Sequence, residues 1–387
     1  MSTPPPATRH PPLILGIDAS RANTAERTGT EWYAFHLIQE FKKIIPSDVR
    51  VILYSREPLR ADLRADWPPN WEERVLSWPP RRLWTQVRLS WEMWRRPPDL
   101  LFVPVHALPL VLPAKAAVTL HDVAFVVEPA AYSRFENWYQ RFAVNFAAKR
   151  ATGIITISDF SRAELIKYFS VSAEKMSVTL LGLDTAAFRP PTEPAETKAV
   201  LAGLKIERPY FLYVGRLERK KNIVGLLLAF QEFKRQAGAV DQTALVLVGK
   251  FGHGSGEILT LLATDAGLAA DVIRPGYVGK EALPHLYAGA EAFVFPSWYE
   301  GFGLPMLEAF SVGTPVIAAR AASLPEVAGE AALYGDPTRP TTFAAAMWRL
   351  RQEPELRKSL IAKGLARARE FTWRKTAEKT WEVLRSL

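Results

Sequence analysis

Glu300 and Glu308 stand eight residues apart in Pro296-Ser297-Trp298-Tyr299-Glu300-Gly301-Phe302-Gly303-Leu304-Pro305-Met306-Leu307-Glu308. Two carboxylates at that spacing, with two glycines and a proline between them, can grip a polyhydroxylated ligand that carries a diphosphate. Carboxylate oxygens accept hydrogen bonds from hydroxyls. Gly301 and Gly303 let a ligand approach the backbone where a side chain would block it. Pro305 suits the first turn of a helix, because its missing N–H costs nothing there. Glu308 then falls one turn further in, and Glu300 lies in the loop before the helix. An anion at that helix N-terminus would meet free N–H groups and the positive end of the dipole. Taken alone, the two glutamates read more simply as solvated loop carboxylates. The whole stretch, followed by Ser311-Val312-Gly313-Thr314-Pro315-Val316-Ile317, favours a site.

A second group of reactive types is Gly215-Arg216-Leu217-Glu218-Arg219-Lys220-Lys221-Asn222. Breaking a bond to a diphosphate leaves added negative charge on the terminal phosphate. Fixed cations there stabilise the transition state more than the ground state. Arginine binds two phosphate oxygens in a fork, whereas lysine acts as a point charge. Cations at a helix start oppose the dipole, so a purely structural role is disfavoured. His121-Asp122 follows the apolar run Ala116–Leu120, although a lone histidine there is more often a core or loop residue. Gly29, in Thr28-Gly29-Thr30-Glu31, occupies a strand-to-helix turn. The glycine-rich Lys250–Gly254 also follows a strand, and by itself is weak evidence for a site.

The elements that must position these residues alternate. Strands are expected at Leu13–Asp18, Val49–Tyr54, Leu100–Val103, Ala116–Leu120 and Gly153–Ile157, with helices over Glu31–Ile45 and Asp159–Phe169, the latter capped by Ser158. Phe188–Arg208 is proline-rich with a short polar helix candidate, as an interdomain connection would be. A second series of strands follows at Tyr210–Val214, Ala244–Val248, Val272–Tyr277, Ala292–Phe295 and Pro315–Ala319. The alternation predicts α/β architecture with parallel, doubly wound sheets. Ligands then bind beyond the carboxyl ends of the strands.

The 387 residues are 48% hydrophobic and 23% charged, ordinary for a globular protein of two or three domains. Cysteine is absent, which excludes disulfides and thiolate metal sites. The opening MSTPPPATRHPP lacks the apolar core of a signal peptide and reads as a disordered tail. No run reaches the roughly 18 apolar residues of a membrane span. The net charge of +9 is spread over both halves rather than gathered in a stripe, which argues against nucleic acid as a partner. Residues 67–94 hold six of the twelve tryptophans. Trp84, Val87, Trp91 and Trp94 fall on one helical stripe, with Arg81, Arg82, Arg88, Arg95 and Arg96 around it. The plain expectation is a helix buried on the sheet; the functional one is peripheral contact with a membrane.

The Glu300–Glu308 stretch closely resembles the E-x7-E signature of family-4 retaining glycosyltransferases of the GT-B fold, and the resemblance runs from Leu13 to about Trp381. It implies two Rossmann-like doubly wound domains facing a central cleft. The expected division is a tail over 1–12, an N-terminal acceptor-side domain over 13–188, a linker over 189–208, a nucleotide-sugar domain over 209–370, and a helix over 371–387 that crosses back. The resemblance assigns Glu300 to the donor sugar, Glu308 to the ribose, and the backbone of Gly301, Phe302, Gly303 and Leu304 to the sugar and phosphates. Gly215–Lys221 resembles the family's G-R-x(4)-K motif, so Arg216 and Lys221 are the expected diphosphate ligands, with Lys220 the nearest rival. Many relatives carry an H-D dipeptide at His121, beside the reacting sugar. Tyr277 and Val278 sit where relatives read the base through backbone groups. At Gly29 and Thr30 relatives often have G-x-G; this chain has one glycine, so Thr30 is either a phosphate contact or a helix cap.

The resemblance implies a retaining hexosyltransferase that moves a sugar from a nucleotide donor to a hydroxyl acceptor, either a carbohydrate or a lipid-linked glycan. Mannose from GDP-mannose is the leading donor and a UDP-hexose such as UDP-glucose the alternative. No cofactor and no metal are expected, since no D-x-D motif is placed and the basic pair can replace one. A cytoplasmic location follows, at the inner face of the plasma membrane if the tryptophan segment meets lipid. A sugar-nucleotide 2-epimerase and a non-catalytic nucleotide-sugar binder are the rivals.

Overall fold

The computed structural model describes residues 12–79, 83–238 and 240–387. Residues 1–11 of the expected tail, and Arg81 and Arg82, lie outside the described residues.

Two parallel sheets carry the fold. The first contains β1 (Ile14–Asp18), β2 (Arg50–Ser55), β3 (Trp71–Val75), β4 (Leu100–Val103), β5 (Lys115–Leu120), β6 (Gly153–Thr156) and β7 (Met176–Val178), in the spatial order β3-β2-β1-β4-β5-β6-β7. The second contains β8 (Tyr210–Val214), β9 (Ala244–Val248), β10 (Val272–Gly276), β11 (Ala292–Phe295), β12 (Val316–Ala319) and β13 (Ala332–Gly335), in the order β10-β9-β8-β11-β12-β13. Central strands such as Ala-Phe-Val-Phe in β11 are buried along their whole length, as strands covered by helices on both faces must be. In each sheet the order reverses beside the first strand, between β1 and β4 and between β8 and β11. A crevice opens at such a switch point, outside the carboxyl ends of the strands.

The expected strands are present with ends shifted by a residue or so, but β3, β7 and β13 were not anticipated. All three are edge strands. β3 reads Trp-Glu-Glu-Arg-Val, and charge on an edge strand is normal because one side faces water. The first helix runs Gly29–Ile44 and starts earlier than expected. Its cap is Thr28, which forms a reciprocal capping box with Glu31, so Thr30 is not the cap but lies in the first turn.

The tryptophan segment is corrected more deeply. It is not one helix but a π-helical turn over Trp84–Leu89 followed by an α-helix over Ser90–Arg95. The wider turn shifts the phase of the stripe. Trp84 is buried and donates from Nε1 to the Leu76 carbonyl at 2.8 Å, while Val87, Trp91 and Trp94 face solvent. Neither a buried helix nor a single exposed stripe describes it.

After β7 the chain passes through the helix Pro194–Gly203, whose Thr197 hydroxyl is bonded to His285 Nδ1 at 2.9 Å. The last helix, Trp373–Ser386, lies against the first domain: Thr376 Oγ1 donates to the Leu180 carbonyl at 2.8 Å, and Trp373 stacks on His36. A side chain on Gly182 would sit 2.2 Å from the Trp373 nitrogen, so the two backbones touch there.

Candidate active site

The loops after β8 and β11 meet because those strands are neighbours, although about eighty residues of chain separate them. Gly215 leaves β8 with φ +149° and Gly249 leaves β9 with φ +143°. A Cβ on Gly249 would lie 1.9 Å from the Gly215 carbonyl oxygen, so glycine is required for that crossing. Asn222 then ties the β8 loop down. It takes the left-handed conformation, and its amide donates to the carbonyls of Pro296 and Pro337 at 3.2 and 3.0 Å. Trp298 N donates to the Lys220 carbonyl at 2.9 Å. With both loops fixed, Lys221 Nζ donates to Glu300 Oε1 at 2.6 Å, and both side chains are mostly buried.

Arg216 differs from Lys221. Its side chain is 70% exposed and its nearest acid, Glu218 Oε2, is 3.9 Å away. The Arg216 carbonyl accepts from the Tyr213 hydroxyl at 3.0 Å, so the backbone is held while the guanidinium stays free to meet an anion. Lys220 also reaches this region: its ammonium is 3.5 Å from Glu218 Oε1. Burial opposes its charge, but Tyr132, Glu218, Asp122 and Glu300 outweigh that and hold its pKa above the usual lysine value.

Gly303 caps the helix Leu304–Val312 with φ +106°, and Pro305 lies in its first turn. Glu308 follows one turn in. Its Oε2 accepts from the Tyr287 hydroxyl at 2.9 Å. Burial pushes its carboxyl up to about 7, against the opposing effects of Tyr287 and Lys280.

The first domain closes over this group. Ser158 Oγ, which caps the helix Asp159–Phe169, donates to the Gly301 carbonyl at 2.8 Å. Ser161 Oγ lies 2.9 Å from the His121 carbonyl oxygen in its own domain and 3.3 Å from the Gly301 carbonyl oxygen across the cleft. Val123 N donates to the Tyr299 hydroxyl at 3.2 Å. Glu326, from the second domain, accepts from Asp159 N and Phe160 N at 2.9 and 3.1 Å, so it neutralises the N-terminus of a helix in the other domain. A Cβ on Gly301 would come within 3.0 Å of Asp122 Cβ and 3.2 Å of the His121 carbonyl oxygen.

His121 is buried at the end of β5, edge-on to Tyr33 and His106. Burial, with His106 adding to it, pushes its pKa down to about 3. The ring is therefore neutral near pH 7. Its Nε2 lies 3.2 Å from the Pro104 carbonyl, which can only accept, so Nε2 carries the proton and Nδ1 keeps its lone pair.

The structure thus gathers Arg216, Lys221, Glu300, Gly301, Phe302, Gly303, Leu304 and Glu308 on the second domain, with His121 opposite them. Tyr277 and Val278 follow β10; Tyr277 is exposed, with Lys250 Nζ 5.1 Å from its ring centroid, and Val278 is buried. Gly29 and Thr30 begin the helix after β1, and among the described residues no side-chain hydrogen bond joins Thr30 to that group. A Cβ at Gly29 would meet nothing, so glycine is not demanded there by the fold. A cavity of about 600 Å³ borders the same loops, lined by Glu218, Asn222, Gly254, Trp298 and Thr338, but excludes Arg216, Lys221 and both signature glutamates. Among the described residues, no three of His, Cys, Asp or Glu gather closely enough to hold a metal ion. Sequence reasoning missed Ser161, Tyr299 and Glu326, and read Ser158 only as a cap. Their partners lie in the other domain, and nothing local marks that.

Comparison with known proteins agrees with this fold. Residues 198–367 match the family described as glycosyl transferases group 1, and residues 27–187 match glycosyltransferase family 4. The O-antigen chain mannosyltransferase B of Escherichia coli is 36% identical over 268 residues, covering 69% of each chain. A D-inositol 3-phosphate glycosyltransferase of Frankia alni is 34% identical over 245 residues, covering 61% of this chain and 58% of that one. Among solved structures, Anabaena Alr3699/HepE in complex with UDP-glucose has the same fold, with a TM-score of 0.72 at 20% identity over 97% of this chain and 99% of that one. Two parallel-sheet domains meeting at their switch points, with a basic loop and the spaced glutamates between them, are the GT-B arrangement, and the chain belongs to the group 1, family 4 glycosyltransferases.

Proposed function

We propose that this glycosyltransferase transfers mannose from GDP-mannose, with retention of anomeric configuration and without a metal ion, to a hydroxyl of a growing glycan or lipid-linked glycan in polysaccharide assembly. The observation that carries the reading is the Lys221–Glu300 pair at 2.6 Å beside the exposed Arg216 guanidinium. A sugar diphosphate laid across it would place phosphate against Lys221 and Arg216 and sugar hydroxyls against Glu300. Glu308, one helical turn deeper, would take the ribose hydroxyls. The similarity to the O-antigen mannosyltransferase supports mannose over glucose.

In the reaction, the acceptor oxygen bonds to the anomeric carbon on the face the leaving group departs from. The bond from that carbon to the diphosphate oxygen breaks, and the acceptor proton passes to the departing phosphate. Arg216 and Lys221 stabilise the charge that develops there, the part a metal plays elsewhere. A neutral His121, with its Nδ1 lone pair free, can accept a hydrogen bond from a sugar hydroxyl but supplies no proton.

The test is transfer or slow hydrolysis with GDP-mannose, UDP-glucose and ADP-glucose, each with and without excess EDTA, with the anomer of the product assigned by NMR. GDP-mannose turnover that persists in EDTA and yields an α-product is expected. Preference for a UDP-hexose would overturn the donor assignment. Loss of activity restored by magnesium would overturn the metal-free mechanism, and an epimerised nucleotide sugar would overturn the transfer reaction itself.

A further inference from the structure

The outward face of the helix Arg134–Arg150 is aromatic. Ala143, Val144 and Ala147 are buried, while Phe135, Trp138 and Phe142 are 57%, 60% and 40% exposed. A helix on the surface of a water-soluble domain normally has the opposite arrangement, with its large apolar side chains inward. The rings form a ladder, with centroids 6.0 Å apart for Phe135–Trp138, 5.9 Å for Trp138–Phe142 and 6.0 Å for Phe142–Phe146. Phe135 also stacks on Tyr139, whose hydroxyl accepts from Gln86 Nε2 at 2.6 Å. That bond joins the ladder to the exposed Val87, Trp91 and Trp94 of the neighbouring segment. Ser90 Oγ accepts from Leu110 N at 2.8 Å, which brings the exposed Leu110 and Val111 alongside. Single exposed apolar side chains are ordinary, but a run of them across two elements marks an interaction surface.

Charge decides what the surface meets. Segments 83–96 and 134–150 hold five more basic than acidic residues, out of an excess of nine for the whole chain. Arg134 and Arg141 flank the ladder, and Arg95 and Arg96 follow Trp94. Aromatic rings sit well at the level of lipid headgroups, and arginine beside them pairs with phosphate while its stem stays in the apolar layer. We propose that this face docks the N-terminal domain onto an anionic lipid bilayer. It lies on the membrane and does not cross it, for among the described residues no helix is long and apolar enough to span one. The ladder is also tied to the cleft. Asn137 Nδ2 donates to the Phe125 carbonyl at 2.6 Å, and Ala124 N donates to Asp122 Oδ1 at 2.9 Å, beside His121. A lipid-linked acceptor held in that bilayer would therefore reach the cleft from the side on which the protein rests.

The experiment is co-sedimentation of the full chain with phosphatidylcholine vesicles, with or without phosphatidylglycerol, at low and high salt. It compares the wild type with Trp138→Ser/Phe142→Ser, Trp91→Ser/Trp94→Ser and Arg134→Gln/Arg141→Gln. Binding to the anionic vesicles is expected, with a loss of about tenfold or more in each aromatic double variant. The arginine variant should lose about fivefold per residue on anionic vesicles alone, an effect that high salt reproduces. A thermal shift with GDP or UDP must be retained in every variant, which reports an intact donor site and separates failure here from failure of the donor assignment. No vesicle binding by the wild type, or equal binding by the aromatic variants, would overturn the proposal. So would self-association, seen by light scattering, that the same substitutions abolish: the face would then join copies of this chain.

Discussion

Replacing Lys221 with alanine should damage stability and turnover together, whereas replacing Arg216 should damage turnover alone. The structure sets the difference. Lys221 lies 2.6 Å from Glu300 Oε1, with side chains only 15% and 12% exposed. Removing the ammonium leaves a mostly buried carboxylate without its charged partner, which costs about 1.5–3 kcal/mol for a hydrogen bond to a charged group. For a domain of this size a loss of about 2 kcal/mol lowers the melting temperature by about 4–8 °C. Arg216 is 70% exposed and 3.9 Å from its acid, so Arg216→Ala should stay within about 0.5 kcal/mol of wild type. In the proposed reaction both cations act on the departing phosphate, so each single variant should lose on the order of 10²-fold in kcat. Lys221→Ala/Glu300→Gln should recover most of the melting temperature, because no buried charge is left unpaired, yet recover no activity. Melting without donor, together with steady-state transfer, measures all four proteins. The reasoning fails if Lys221→Ala melts with the wild type, if Glu300→Gln does not rescue its stability, or if either cation can be removed without loss of turnover.

Other expectations follow from the same site. Burial holds the Glu308 carboxyl up at about 7 against an ordinary 4.5, so the folded chain favours its protonated form. That contribution to stability is complete below 4.5 and lost as pH rises through 7, whereas the ribose contact proposed for Glu308 is made by the ionised form. Affinity for a sugar nucleotide, measured calorimetrically, should therefore fall as pH drops through that value, and Glu308→Gln should flatten the profile; an equally steep profile in the variant would assign the titration elsewhere. His121, pushed down to about 3 by burial and by His106, should add no limb to the rate profile near neutrality, so His121→Asn should lower kcat without changing the profile's shape. Gly301→Ala places a methyl carbon 3.0 Å from Asp122 Cβ and should hold the domains apart. A larger radius of gyration with reduced kcat is expected, and an unchanged pair of values would show that the closed contact is not needed for turnover.

Much of this site could be read from residue types alone, because its chemistry is local. Gly301, Gly303 and Pro305 between two carboxylates describe a loop, a helix start and a candidate anion site within one short stretch. The basic run after β8 is equally local. Central strands are legible for a related reason: strands buried on both faces leave continuous apolar runs, as in β8, β9 and β11. The edge strands escaped because β3 carries three consecutive charged residues, β7 is three residues long and β13 is only partly buried. The true helix cap escaped because Thr28 and Thr30 have the same side chain, and only the reciprocal bond with Glu31 separates them.

Sequence by itself determined the architecture, the family resemblance and the two motifs, since each depends on the order and type of nearby residues. Tertiary structure alone decided three further things. It made β8 and β11 neighbours, so that Lys221 and Glu300 meet, because sheet order is set by how crossovers pack and not by distance along the chain. It turned Ser158, Ser161 and Glu326 into bonds between domains, because a hydroxyl or carboxylate has no sequence mark for a distant partner. And it chose which faces meet water. Helical spacing groups Trp84 with Trp91, and Phe135 with Trp138 and Phe142, but periodicity is blind to direction. A wider turn in the tryptophan segment, and the small residues Ala143, Val144 and Ala147 that fit against the fold, leave the aromatic side outward.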